Sequence, residues 1–169
     1  MNLDDVMDKY RFRKYNSKFK RYFELEKNKI EKSLGKNLKI EHVGSTAVPG
    51  LGGKGIIDIA IKTPKNKLNQ FMNKLERLGY KPNLEHRGNN KRVFLQKIIR
   101  YSGKERRIHI HLTLNNNFWD SFIVFRDYLR SHDKERDKYS RIKKEATILG
   151  LKGKEYRDYK EKFIKEVLR

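Results

Sequence analysis

Glu41-His42-Val43-Gly44-Ser45-Thr46-Ala47-Val48-Pro49-Gly50-Leu51, with Ile56-Ile57-Asp58-Ile59-Ala60-Ile61 a few residues on, is the stretch from which the rest of the chain can be read. Leu38 to Val43 reads as a strand, and Gly44 to Gly53 is rich in turn formers, with Pro49 and four glycines. Ile56 to Ile61 is a second strand, short and apolar except for Asp58. A period of two puts Ile57, Ile59 and Ile61 on one face and Asp58 and Ala60 on the other. A carboxylate in such a strand is costly to bury unless it is paired, hydrogen-bonded or bound to a metal. Lys54 is the expected partner if the role of Asp58 is structural. Glycine lets backbone N–H groups approach an anion, and the hydroxyls of Ser45 and Thr46 add donors. Gly44 to Thr46 is therefore either a plain turn or a phosphate cradle. It is not a Walker loop, because no Gly-Lys-Ser/Thr follows at the required spacing.

Upstream, Phe19, Phe23, Ile30 and Leu34 recur at helical spacing between Asn16 and Gly35, which predicts a helix over 16–34. Downstream, Leu68, Phe71, Met72, Leu75 and Leu78 form the apolar side of a helix closed by Gly79. Arg92 to Ile99 and Arg107 to Leu114 alternate as the arms of an antiparallel hairpin, with Tyr101 to Arg106 as its turn. In the second arm Ile108, Ile110, Leu112 and Leu114 share one face, and Arg107, His109, His111 and Thr113 the other. The two histidines can bind a metal with Asp58 as third ligand, exchange protons, or simply face solvent on a basic hairpin. Helices are predicted over 118–131, 133–149 and 153–168, the last burying Tyr156, Phe163 and Val167. This order predicts a mixed α+β class: one domain over 1–169, a small mixed sheet over 38–114 flanked by helices, and a helical C-terminal region over 118–168.

A chain of 169 residues, 36% hydrophobic and 11% aromatic, can bury one core. The absence of cysteine excludes disulfides, thiolate metal sites and a catalytic thiol, and fits a reducing compartment. Met1 to Arg21 lacks the apolar stretch of a secretory signal, and no apolar run approaches the roughly 20 residues needed to span a bilayer. A cytoplasmic protein without membrane association is expected. The net charge of +21, from 42 Lys and Arg against 21 Asp and Glu, attracts polyanions. Lys9 to Arg21 contains no acid, and Arg87 to Arg107 contains only Glu105. The first run interleaves Tyr10, Phe12, Tyr15 and Phe19, which either stack on bases or pack inward.

Glu41 to Thr46, Pro49-Gly50-Leu51, Lys54 and Ile56-Ile57-Asp58-Ile59 are followed in order by Arg92-Val93-Phe94 and Ile108-His109-Ile110-His111. Phe125-Arg126-Asp127-Tyr128-Leu129-Arg130, Tyr139 with Lys143, and Tyr156 with Lys160 and Phe163 complete the series. In these motifs the chain resembles the GrpB family from Asn16 to Leu168. The resemblance implies a nucleotidyltransferase-like fold. It implies that Gly44, Ser45 and Thr46 hold phosphates, and that Lys54, Arg126, Arg130, Lys143 and Lys160 neutralise them. Asp58, helped by His109 and His111, becomes the candidate catalytic set and the holder of one magnesium or manganese ion. Two positions depart from the pattern. Gly55 stands where the family has proline, and Ala60 where active nucleotidyltransferases carry a second acid. A two-metal displacement wants several carboxylates around ions about 4 Å apart. The expected activity is binding of a nucleotide or other phosphorylated small molecule, with nucleotidyl or phosphoryl transfer. The alternatives are a non-catalytic nucleotide-binding module and a basic protein that binds RNA or another polyanion.

Overall fold

Phe19, Tyr22, Phe23, Glu26 and Ile30 recur three or four residues apart, and this stripe is the buried face of helix α1, Lys18–Leu34. The computed structural model describes residues 9–83, 92–101 and 103–169. Residues 87–91 of the second basic run lie outside the described residues. After α1 come β1 (Ile40–Val43), a 3-10 turn (Ser45–Ala47), β2 (Ile57–Lys62), α2 (Leu68–Arg77) and β3 (Lys81–Pro82). They are followed by β4 (Arg92–Tyr101), β5 (Lys104–Thr113), α3 (Asn116–Ser131), α4 (Asp133–Ile148) and α5 (Gly153–Val167). This is the expected mixed α/β class, with five described helices, a mixed sheet and a helical C-terminal region.

The sheet order is β1-β2-β5-β4-β3, with β2 and β5 parallel and the other neighbours antiparallel. Ile57, Ile59 and Ile61 of β2 and Ile108, Ile110 and Leu112 of β5 are fully buried on the face that packs with Phe19, Phe23, Phe71 and Leu75 of α1 and α2. Burying each such side chain contributes about 1.5–3 kcal/mol, so this face holds the sheet to its helices. On the other face, pairing sets Asp58 between Val43 and His109, and Ala60 between Glu41 and His111. Trp119, Phe122 and Ile123 of α3 cover the Val43–Ala60 part of it. Val48 and Leu51, from the glycine-rich segment, pack with Leu129, Tyr139 and Phe163 of the three C-terminal helices. That cluster clamps the turn after β1 against α4 and α5.

Boundaries differ from the sequence reading in physically simple ways. The hairpin ladder runs on to Tyr101↔Lys104, so its turn is shorter than 101–106. Tyr101 stacks on Tyr22 with centroids 4.9 Å apart, and its hydroxyl donates to Glu26 Oε1 at 3.1 Å, anchoring a charged strand end. Helix α1 starts at Lys18 rather than Asn16, whose Oδ1 accepts from the Lys18 N–H at 2.9 Å. Helix α3 starts before Phe118 because Asn115 caps it, accepting from the Phe118 N–H at 3.2 Å. Among the described residues no helix is long and apolar enough to cross a membrane.

Candidate functional site

Gly44 turns the chain out of β1 with φ of 71°, and a Cβ there would lie 2.5 Å from Asp58 Oδ2. Only glycine permits this contact between turn backbone and strand carboxylate. Two residues on, the Thr46 hydroxyl is buried, donating to the Ile56 carbonyl at 2.8 Å and accepting from His42 Nε2 at 2.9 Å. Burial brings His42 down to about 4, so its ring is neutral at physiological pH. It stacks on Phe23 with centroids 4.7 Å apart. Thr46 and His42 thus tie the turn to the entrance of β2.

Ser45 sits at a second close approach. A Cβ on Gly53 would fall 2.6 Å from Ser45 Oγ and 3.2 Å from Lys143 Nζ. Gly53 is pinned there by two backbone hydrogen bonds with Arg13, of 2.6 and 2.9 Å. Lys143 reaches this spot from α4, 4% exposed, and its buried Nζ has no hydrogen-bond partner among the described residues. The Tyr139 ring lies 4.6 Å from Nζ. Burial holds Lys143 well below the ordinary lysine range, and Lys160 and Lys54 add repulsion that Asp58 only partly opposes. Lys54 Nζ lies over the edge-to-face pair of Tyr10 and Tyr156, 4.7 and 4.6 Å from their ring centroids. Burial first, then Lys160 and Lys9, bring it to about 7. Lys160 stands 5.7 Å from the Tyr156 ring. A buried ammonium without an acceptor costs free energy that an arriving anion recovers.

At the edge of this cluster, Asp58 Oδ1 receives His111 Nε2 at 3.1 Å and His109 Nδ1 at 3.4 Å. Burial alone raises the Asp58 carboxyl, but the hydrogen bonds from His109 and His111 outweigh it and hold the group far below the usual carboxylate range. Both histidines are lowered, burial exceeding the pull of Asp58, and are neutral at pH 7. Arg92 donates to His111 Nδ1 at 3.2 Å, which leaves the proton of that ring on Nε2, facing Asp58. His109 uses Nδ1–H toward Asp58, so its buried Nε2, which has no hydrogen-bond partner among the described residues, is a proton acceptor.

The expected metal fits this donor set poorly. Among the described residues no three His, Asp or Glu groups are arranged to hold an ion. Oδ1 of Asp58 already accepts from both rings, and Ala60 lies buried beside Trp119. A second carboxylate at position 60 would have to be buried against indole.

Of the residues singled out from sequence, the fold gathers Gly44, Ser45, Lys54, Lys143 and Lys160 near Asp58, and Asp58 with His109 and His111. Thr46, Arg126 and Arg130 commit their polar groups to the fold instead. Arg126 donates to Glu41 Oε2 at 2.6 Å, to the His42 carbonyl at 3.0 Å and to Asp127. Arg130 grips the Ala47 carbonyl with two hydrogen bonds, of 3.0 and 2.8 Å, and so steadies the turn from behind. Asp58 is bonded to imidazoles, not to Lys54. Sequence reasoning gave Gly53 and Tyr10 no part in the site and took His42, Arg92, Tyr139 and Tyr156 only as motif residues, with no role against the lysines or the His109–His111 pair. Tyr139 with Lys143 and Tyr156 with Lys160 are i,i+4 pairs on helices, a spacing that could have revealed the brackets. Arg92 could not be found without the β4–β5 register.

The family model described as GrpB protein matches residues 9–169. A UPF0157 protein of Halalkalibacterium halodurans is 32% identical over 165 residues, covering 92% of this chain and 78% of that protein. The glutamate-rich protein GrpB of Alkalihalophilus pseudofirmus is 29% identical over 162 residues, covering 91% of each. The crystal structure of the conserved protein GrpB from Enterococcus faecalis superposes with a TM-score of 0.76 at 28% identity, over 94% of this chain and 97% of that one.

Proposed function

We propose, from the premise that this chain belongs to the GrpB family, that it is a cytoplasmic protein with a nucleotidyltransferase-like site for a nucleotide or other phosphorylated small molecule. The observation that carries this reading is the buried Lys143 Nζ, which has no hydrogen-bond partner among the described residues and stands beside Ser45 and Gly53. In this reading a phosphate oxygen accepts from the Ser45 hydroxyl and from Lys143, while Lys54 and Lys160 neutralise the remaining charge. The aromatic brackets keep the lysines extended toward the ligand.

The same cleft provides for group transfer. As an acceptor hydroxyl bonds to a phosphorus of the ligand, its proton passes to His109 Nε2, the phosphoanhydride bond to that phosphorus breaks, and the departing phosphate or pyrophosphate takes the bonding electrons and its negative charge to the lysines. Asp58 holds Nδ1–H and offsets the imidazolium that forms. No step passes through magnesium or manganese, because among the described residues no three His, Asp or Glu groups are arranged to hold even one ion. The charge of +21 favours RNA binding as a second reading.

Calorimetric titration with ATP, ADP and orthophosphate, with and without magnesium or manganese, tests the proposal. Saturable binding of ATP without metal is expected. Binding only when a metal is added would return the ion to the site, and no binding of any phosphate compound would overturn the reading.

A further inference from the structure

Lys143 Nζ is buried beside Ser45 and Gly53, so a phosphate reaches it only when part of its cover moves aside. The sheet and the C-terminal helices are poor candidates for that movement, being held by continuous ladders and by the cluster of Val48, Leu51, Leu129, Tyr139 and Phe163. Residues 10–16 differ, because they form neither helix nor strand beyond one bridge, Arg13 with Gly53. They run as a strap along the glycine-rich segment. Arg13 exchanges two backbone hydrogen bonds with Gly53, of 2.6 and 2.9 Å, and its guanidinium donates to the Lys54 carbonyl at 3.1 Å. Phe12 lies against Gly52, where a Cβ would stand 2.9 Å from its Cε1 and 3.0 Å from Ser140 Oγ of α4. Gly52 therefore makes room for the strap as Gly53 does for Ser45 and Lys143. Further along, Tyr10 reaches α5. Its hydroxyl accepts from the Gly153 N–H at 2.8 Å, an amide at the start of that helix with no partner inside it, and its ring meets Tyr156 edge to face at 5.6 Å.

The strap thus ties residues 52–54 to α5, the two elements that carry Lys54 and Lys160, and Lys54 rests over Tyr10 and Tyr156 where they meet. We propose that the strap is the gate of the phosphate site: it swings away as one unit to admit the ligand, and closes again to return Lys54 to its place on the two rings. Short-range hydrogen bonds and two aromatic contacts hold it, so it opens far more readily than the whole domain unfolds. The inference rests on the reading of Ser45 and Lys143 as a phosphate site. It adds how that site is entered and left, and makes strap opening the step that limits both.

Amide hydrogen exchange on the full chain reads the gate without any ligand, because the Arg13 and Gly53 amides are bonded to each other's carbonyls across the bridge. Both should exchange faster than strand amides such as Ile59, and with a common opening free energy. Tyr10→Phe removes the hydrogen bond to Gly153 and keeps the ring. It should speed exchange at Arg13 and Gly53 about fivefold, although neither amide is bonded to Tyr10, because one net hydrogen bond is lost from a single opening unit. Stopped-flow binding of a fluorescent ATP analogue then reads the consequence. Association and dissociation should both quicken about fivefold in Tyr10→Phe, with affinity within about twofold. Phe12→Ala, which loosens the strap away from Lys54, should quicken both as well. Faster association is an effect that a merely structural loss does not produce. If exchange at Arg13 and Gly53 is unchanged in Tyr10→Phe, or if the analogue binds but associates no faster in either variant, the gate is overturned and the phosphate site stands without it. If the analogue binds none of the three proteins, the phosphate reading fails and the gate fails with it.

Discussion

Lys143→Met keeps the length of the side chain against Tyr139 and removes its charge. In the ligand-free protein that side chain is 4% exposed, and its Nζ has no hydrogen-bond partner among the described residues. Replacing a poorly compensated buried ion by an apolar side chain of similar volume is neutral to stabilising by 1–4 kcal/mol, and about 2 kcal/mol is expected for this lysine. For a chain of this size each kcal/mol moves the melting temperature by about 2–4 °C, so the variant should melt about 4–8 °C higher near neutral pH. Phosphate binding should change in the opposite sense. A hydrogen bond to a charged group is worth about 1.5–3 kcal/mol, so affinity for ATP or orthophosphate should fall about 10- to 150-fold. Differential scanning calorimetry and a phosphate titration on the same preparation give both numbers. The pairing is the test, because a residue that serves only the fold cannot raise stability and lower affinity at once when removed. A lower melting temperature with unchanged affinity would refute the reasoning and make Lys143 a structural residue.

Lys54, brought to about 7 by burial and its cationic neighbours, makes stability depend on pH. Above that value the folded lysine has lost its proton while the unfolded one keeps it, so wild-type stability should rise from pH 7 toward about 10, and Lys54→Met should flatten the rise. Gly44→Ala forces a side chain into a backbone region that only glycine favours and against Asp58 Oδ2, 2.5 Å away. It should cost about 1–3 kcal/mol from the backbone alone and shift the His109 and His111 resonances in NMR spectra. Arg126→Ala releases Glu41 and Asp127, which are about half exposed, so the loss should be about 1–2 kcal/mol by chemical denaturation, with ATP affinity within about twofold. Loss of ATP affinity with an unchanged melt would instead return Arg126 to the phosphate site.

Period-two alternation alone put Asp58 on the face opposite Ile57 and Ile59, and His109 and His111 opposite Ile108 and Ile110. Those assignments needed no tertiary information, because a strand decides its own faces. That the two faces coincide depends on the parallel pairing of Asp58 with His109, residues about 50 apart whose register is settled by the whole sheet. Thr46, Arg126 and Arg130 show a different limit. Their hydroxyl and guanidinium groups suit a phosphate equally well, but they bond to the carbonyls of Ile56, His42 and Ala47, and main-chain acceptors carry no trace in a sequence. Gly53 likewise reads as one more turn glycine until Ser45 and Lys143 are seen on either side of the missing Cβ.

The central claim, that Ser45 and Lys143 hold a phosphate, is tested most directly by a crystal structure of the protein soaked with a slowly hydrolysed nucleoside triphosphate, with and without magnesium. The expected result is a phosphate group whose oxygens accept from both Ser45 Oγ and Lys143 Nζ, in both soaks. A triphosphate bound elsewhere, with Lys143 still without a partner, would contradict it.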